Sequence, residues 1–207
     1  MKESIDTKET IRKRMIDVRR NIPMFEKREA DRRIAEVLVR KKPWRDAAMV
    51  CLYVSLPAEV DTRALIDESF RQGKMVVVPK VRRDEGIVLH RIDSVYDLRP
   101  GPMHNLEPLE TCPVVGKNEI GLFIIPLLAF DRSLYRLGWG GGMYDRLLSG
   151  VRAPKIGLAF DAQSVDVLPH DNNDIKLDMV ITEAETYLNP KNFSISIDRL
   201  IKKKKCT

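Results

Sequence analysis

The chain is poor in the residues that most often carry metal or covalent chemistry. Its 207 residues include only three histidines and three cysteines. Cys51, Cys112 and Cys206 stand at metal-ligand spacing neither from one another nor from His90, His104 or His170. A zinc site and a Cys/His nucleophile pair therefore have little support. Three cysteines cannot all pair within one chain, which fits a reducing compartment, and Cys51, inside an apolar run, reads as core filler. Aromatic residues make up 6%, too few for the basic surface interleaved with stacking rings that nucleic-acid binders present. No stretch is long and apolar enough to span a membrane, and Met1-Lys-Glu-Ser-Ile-Asp-Thr-Lys8 opens no signal peptide. The expectation is a cytoplasmic protein with no membrane and no nucleic-acid partner.

What is present describes a soluble globular domain. Hydrophobic residues account for 43% and charged residues for 32%, and the length favours one domain over residues 1–207. The formal net charge is +6, and Lys202 to Lys205 alone supply four positive charges. From about residue 202 that run reads as a solvated basic tail, and the remaining positive charge suits a polyanionic small molecule as well as a nucleic acid.

Residues 7–22 carry Ile11, Met15, Val18 and Ile22 at helical spacing, with Lys8, Arg12 and Arg19 within roughly 40° of one another beside that stripe at the α-helical turn angle. Either this is a surface helix with charged flanks, or docking the stripe turns Lys8 and Arg12 inward toward an anion. A second helix is expected from about Phe25 to Lys41. Met49 to Ser55 then reads as a buried strand, Asp61 as an N-cap for a helix through about Gln72, and Lys74 to Val78 as another strand, a β-α-β unit. Further strands are expected at Ile87–Arg91, Gly121–Ile125, Lys155–Ala159 and Met179–Thr182. The pattern predicts an α/β fold, a three-layer Rossmann-like domain with a mostly parallel central sheet and N-terminal helices. Ligands in such sheets gather at the carboxyl ends of strands, where Glu59 falls; it is there either as a ligand-binding group or as an ordinary loop carboxylate. Asp178 immediately precedes the last expected strand, so topology alone does not put it on that rim.

Residues 136–146, Arg136-Leu-Gly-Trp-Gly-Gly-Gly-Met-Tyr-Asp-Arg146, hold four of the eleven glycines between two arginines. Without Cβ atoms, Gly138, Gly140, Gly141 and Gly142 can adopt positive φ and aim successive N–H groups at an oxyanion. A helix is expected from Met143 to Ser149, with its positive end toward the same anion. The loop lacks the Lys-Ser/Thr ending of a P-loop, and its spacing breaks the dinucleotide fingerprint. A tight turn would also account for the glycines, but Arg136, Asp145 and Arg146 together favour a phosphate cradle with a metal ligand attached.

The run Pro126-Leu-Leu-Ala-Phe-Asp131, followed by the glycine segment, resembles the signature of the 5-formyltetrahydrofolate cyclo-ligases. The similarity extends from Lys8 and Arg12 through Glu59-Val-Asp-Thr62 to Leu177-Asp-Met-Val-Ile-Thr-Glu183. The resemblance implies a Rossmann-like fold and an ATP- and Mg²⁺-dependent reaction. ATP phosphorylates the formyl oxygen of 5-formyltetrahydrofolate, nitrogen 10 attacks the activated carbon, and loss of phosphate leaves 5,10-methenyltetrahydrofolate. By position, the resemblance implies that Lys8 and Arg12 bind ATP phosphates. Arg136 would be the catalytic cation, acting on the transferring phosphoryl group with the Gly138 to Gly142 backbone, and Trp139, Met143 and Tyr144 would complete the nucleotide-binding segment. Asp145 and Asp178 would hold Mg²⁺, and Glu59 would bind the amino-pyrimidinone end of the folate beside Val54, Trp139 and Met143. The implied partners are ATP and 5-formyltetrahydrofolate or its polyglutamylated forms; a monomer is expected. The chain departs from the family pattern at Met143 and Trp139, where other aromatic or basic side chains are more usual, and across Met103-His-Asn-Leu-Glu-Pro108. The alternative is a member of the fold that binds a nucleotide or phosphometabolite and has changed its substrate; a basic nucleic-acid-binding protein is the second alternative.

Overall fold

A computed structural model describes residues 6–82, 84–101 and 105–189. The expected basic tail, Cys206 and the Met103-His104 pair lie outside the described residues. The N-terminal segment forms helices α1 (Lys8–Arg20), α2 (Met24–Val39) and a short α3 (Lys42–Asp46). Strand β1 (Met49–Leu52), helix α4 (Arg63–Arg71) and strands β2 (Met75–Arg82) and β3 (Gly86–Ile92) follow. A small hairpin joins β4 (Leu98–Pro100) to β5 (Leu106–Pro108). The second half contains β6 (Leu122–Ile125), β7 (Ala129–Asp131), β8 (Arg136–Leu137), helix α5 (Met143–Leu148), β9 (Lys155–Leu158), β10 (Ser164–Val165), β11 (Met179–Ile181) and β12 (Thr186–Leu188).

The main sheet runs β12-β11-β9-β6-β1-β2-β3. The strands from β11 to β2 are parallel, and β3 and β12 add antiparallel edges. The α/β fold with a mostly parallel central sheet is thus as expected. Period-two alternation explains how one sheet feeds two cores. Val50, Leu52, Val76, Val78, Leu122, Ile124, Ile156, Leu158 and Ile181 face Ile34, Leu38, Trp44, Leu65 and Ile66 of α2, α3 and α4. Cys51, Val77, Phe123, Ile125 and Val180 point the other way, toward Phe130, Leu134, Leu147 and Leu148. Helix α1 stands apart: Ile11 and Met15 pack on Leu128, Ala129 and Leu137, beside the small sheet β10-β7-β8. Among the described residues no helix is long and apolar enough to cross a membrane.

Several expectations need adjustment. β11 is not the last strand, because a tight turn returns the chain as β12. The cap of α4 falls on Thr62, although the Asp61 carboxylate accepts a hydrogen bond from the Arg63 N–H at 2.9 Å. Helix α5 has only six residues, so the anion-binding capacity of that junction rests on the glycine backbone and the arginines more than on a macrodipole.

Candidate active site

A cavity of about 840 Å³ opens at the carboxyl ends of β1, β2 and β6, the rim where α/β sheets collect ligands. Its two ends differ in chemistry.

At one end lies the glycine loop. Gly140, Gly141 and Gly142 take φ values of +112°, +74° and +63° in succession, a path that side chains with a Cβ rarely follow. Arginines hold this loop from both sides: Arg12 Nε donates to the Gly138 carbonyl at 2.9 Å, and an Arg146 guanidinium nitrogen donates to the Gly141 carbonyl at 2.6 Å. Arg136 is delivered by a tight β7-β8 turn. Buried Asp131 secures the turn by accepting from the Tyr135 and Leu168 N–H groups, and Leu134 adopts a φ of +66° within it. The Arg136 guanidinium donates to the Ile175 carbonyl at 2.7 Å and to Asp145 Oδ1 at 3.0 Å. Asp145 Oδ1 also accepts the Ile175 N–H, while its Oδ2 has no hydrogen bond among the described residues.

Lys8, on the first turn of α1, completes this end. The docked Ile11/Met15 stripe turns it inward, where its Nζ lies 2.6 Å from Asp174 Oδ2 and 3.7 Å from Asp171. Burial pushes the Asp174 carboxyl upward. The Lys8 hydrogen bond, the Asp171 N–H and the charges of Lys8 and Arg136 outweigh that and hold it below the usual carboxylate range.

The other end is apolar around a single buried carboxylate. Tyr53, Val54, Pro79, Val81, Ile87 and Leu106 line it, together with Trp139, Met143 and Tyr144. Glu59 is only 6% exposed, and its loop is fixed by backbone and side-chain bonds. The Glu59 N–H donates to the Leu56 carbonyl, Glu59 Oε2 accepts the Leu56 N–H at 3.0 Å, and the Tyr53 hydroxyl donates to the Val60 carbonyl. Trp139 Nε1 sits 3.5 Å from Glu59 Oε1, at the outer limit of a hydrogen bond. Burial, with Cys51 and Glu59 nearby, raises the Tyr144 phenol well above its usual pKa, so it stays neutral.

The structure gathers Lys8, Arg12, Val54, Glu59, Arg136, Gly138, Trp139, Gly140, Gly141, Gly142, Met143, Tyr144 and Asp145 around one cavity. It does not bring Asp178 there. That residue immediately precedes β11 at the amino end of the parallel strands, where its carboxylate accepts the Lys155 N–H at 2.9 Å and lies 3.4 Å from Lys155 Nζ. The position expected to hold Mg²⁺ at Asp178 thus lies outside the cavity, and its carboxylate ties β9 to β11 at the amino end of the parallel strands. Beside Asp145, the carboxylates that line this end of the cavity are Asp171 and Asp174, of which Asp174 is the more buried. The sequence signal for it was the Asp171-Asn-Asn-Asp174 run, which reads as an ordinary turn. Arg19, which the sequence groups with Lys8 and Arg12 on one side of α1 without a ligand-binding role, is almost fully buried, 3.8 Å from Glu59.

Among the described residues no three His, Cys, Asp or Glu side chains cluster as a self-sufficient metal site. Asp145 Oδ2 and Asp174 Oδ1, neither with a hydrogen bond among the described residues, are hard oxygen donors. Such a pair fits Mg²⁺, which commonly takes one or two carboxylates and fills its remaining positions with water and phosphate.

Known proteins agree with the resemblance read from the glycine segment. The model of the "5-formyltetrahydrofolate cyclo-ligase family" matches residues 4–183. The 5-formyltetrahydrofolate cyclo-ligase of Haemophilus influenzae is 30% identical over 184 residues, covering 82% of this chain and 94% of that one. The Escherichia coli protein of the same name is 31% identical, covering 82% and 96%. The solution structure of the 5,10-methenyltetrahydrofolate synthetase from Aquifex aeolicus superposes with a TM-score of 0.79 at 32% identity, over 88% of this chain and 93% of that one. Fold, ordered motifs and the length of the match therefore agree, and this chain belongs to the 5-formyltetrahydrofolate cyclo-ligase family.

Proposed function

We propose that the protein uses ATP and Mg²⁺ to convert 5-formyltetrahydrofolate into 5,10-methenyltetrahydrofolate, with phosphorylation of the formyl oxygen as the activating step and ADP and phosphate as products. The observation that carries this reading is the two-ended cavity. One end combines a backbone suited to phosphate oxygens with four cationic side chains and three carboxylates, Asp145, Asp171 and Asp174. The other offers an apolar slot around one buried carboxylate.

In this reading Lys8 and Arg12 bind the ATP phosphates, and the N–H groups of Gly140 to Gly142 close around them. Arg136, already aimed by Asp145 and the Ile175 carbonyl, neutralises charge that develops on the transferring phosphoryl group, a role that requires positioning rather than a nucleophile. Asp145 and Asp174 would hold Mg²⁺, which would supply charge neutralisation on phosphate oxygens. Glu59 accepts hydrogen bonds from the amino-pyrimidinone of the folate. Trp139, Met143 and Val54 flank the ring system, and the apolar walls exclude water from the activated formyl carbon. The small-molecule partners are ATP and the reduced folate.

The direct test follows the near-ultraviolet absorbance of the methenyl product's conjugated amidinium, using purified protein, 5-formyltetrahydrofolate, Mg²⁺ and ATP. The expected result is a rise that needs all four components. ATP binding without any rise would instead identify a family member whose substrate has changed.

A further inference from the structure

Glu59 is as buried as the core side chains around it, and a lone ionised carboxylate in that position is unfavourable without a cation. The cation comes from α1. Arg19, in the last turn of the helix whose first turns carry Lys8 and Arg12, is 4% exposed. Its guanidinium lies 3.8 Å from Glu59 Oε1, 3.5 Å from the Leu127 carbonyl and 5.4 Å from the centroid of the Trp139 ring. Arg19 does not itself line the cavity. Its Nε has no hydrogen-bond partner among the described residues.

A brace serving stability alone would be better made of apolar side chains, since a buried ion pair with an unsatisfied donor usually contributes less than well-packed hydrophobic residues of similar volume. We infer that Arg19 is a positioning residue for the folate head group: it holds the Glu59 carboxylate in place with Oε1 turned toward the cavity and draws the Trp139 ring beside it. The inference rests on the folate reading of Glu59 given above. It also gives α1 two duties at its two ends, phosphates at Lys8 and Arg12 and the pterin site at Arg19, so one docked helix sets the register between the two substrates.

The test compares Arg19→Met, Arg19→Lys, Glu59→Gln and the double variant Arg19→Met/Glu59→Gln in steady-state assays that vary each substrate in turn. Arg19→Met should raise KM for 5-formyltetrahydrofolate by roughly 10- to 100-fold, the scale of losing one hydrogen bond to a charged group, with KM for ATP unchanged. Arg19→Lys, which keeps the charge and loses the planar fork, should recover part of that loss. The double variant should be no worse for folate than Glu59→Gln alone, because Arg19 then has nothing left to position. It also removes both buried charges, so the comparison survives if Arg19→Met folds poorly. A wild-type folate KM in Arg19→Met, an equal rise in both KM values, or a further tenfold loss in the double variant beyond Glu59→Gln would each overturn the role of Arg19 and leave the cyclo-ligase reading standing. Failure of the wild-type protein to turn over or bind 5-formyltetrahydrofolate would overturn that reading and this inference together.

Discussion

At the glycine-loop end of the cavity, Lys8, Arg12, Arg136 and Arg146 bond to Asp174, the Gly138 carbonyl, Asp145 and the Gly141 carbonyl respectively; only Arg136 is buried, and its partner Asp145 is part-exposed. At the Glu59 end one carboxylate and one guanidinium face each other almost fully buried, with Glu59 tied to its own loop backbone. The first arrangement exchanges partners easily: an incoming phosphate can take over hydrogen bonds already aimed into the cavity, so charge is shifted rather than newly buried. The second cannot exchange partners without leaving a buried charge alone, so it fixes orientation. Rate and ATP binding should therefore depend on the first end and folate affinity on the second.

The widest separation between the two ends is expected from paired carboxylate changes. Asp145→Ala frees Arg136 and removes the carboxylate proposed to hold Mg²⁺. It should lower kcat by roughly 10²- to 10³-fold, the scale of deleting one preorganised electrostatic group. Glu59→Gln should act mainly on the folate KM, by roughly 10- to 100-fold, with KM for ATP unaltered. Equal effects of both changes on kcat would break the division of labour. A smaller contrast lies within the loop. An added Cβ meets nothing within 4 Å at either Gly138 or Gly141, but only Gly141 has a positive φ, of +74°. Gly141→Ala is thus a backbone perturbation with no steric component, costing about 1 to 2 kcal/mol. It should raise KM for ATP while Gly138→Ala stays near wild type; the reverse ranking would mean that side-chain space, not backbone conformation, governs the loop.

The strands were legible in the sequence because both faces of the sheet are buried. Runs such as Val76-Val77-Val78 and Phe123-Ile124-Ile125 are apolar without interruption, and strand identity survives even where ends shift by a residue or two. The glycine loop and Glu59 were legible because each is a local feature, a cluster or a carboxylate just beyond a strand. Arg19 and Asp174 were not. Whether a cation at the edge of a helical stripe points outward or inward depends on what the helix docks against, and the small sheet that receives α1 is built from residues more than a hundred positions away. Asp174 and Asp178 are four residues apart with similar local chemistry; the chain between them crosses from the ligand rim to the opposite end of the sheet, so only the tertiary path separates the one lining the cavity from the one stapling β9 to β11. Strand β12 escaped notice because three residues after a tight turn leave almost no periodic signal.

The finest test of the contrast between the two ends uses pH. The loop that carries Glu59 is anchored at its far side by Asp61, which accepts hydrogen bonds from the Ser55 hydroxyl and from the Arg63 N–H and side chain. Burial pushes the Asp61 carboxyl upward, but the Arg63 bonds and charge and the Ser55 hydroxyl prevail, and its pKa lies below the usual carboxylate value. A carboxyl with a depressed folded-state pKa binds fewer protons folded than unfolded. Its stabilisation is therefore complete above the unfolded value, about 3.9 for aspartate, and is lost as pH falls through the lowered one. Asp61→Asn should lower the melting temperature slightly at neutral pH and flatten the acid limb of a melting-temperature profile. Because the Arg63 side chain is largely exposed, the change should stay below that of breaking the buried Arg19–Glu59 pair. If Asp61→Asn instead leaves the acid limb intact, the acid sensitivity belongs to the charge network of the glycine-loop end, where Lys8→Met in the same profile would flatten it.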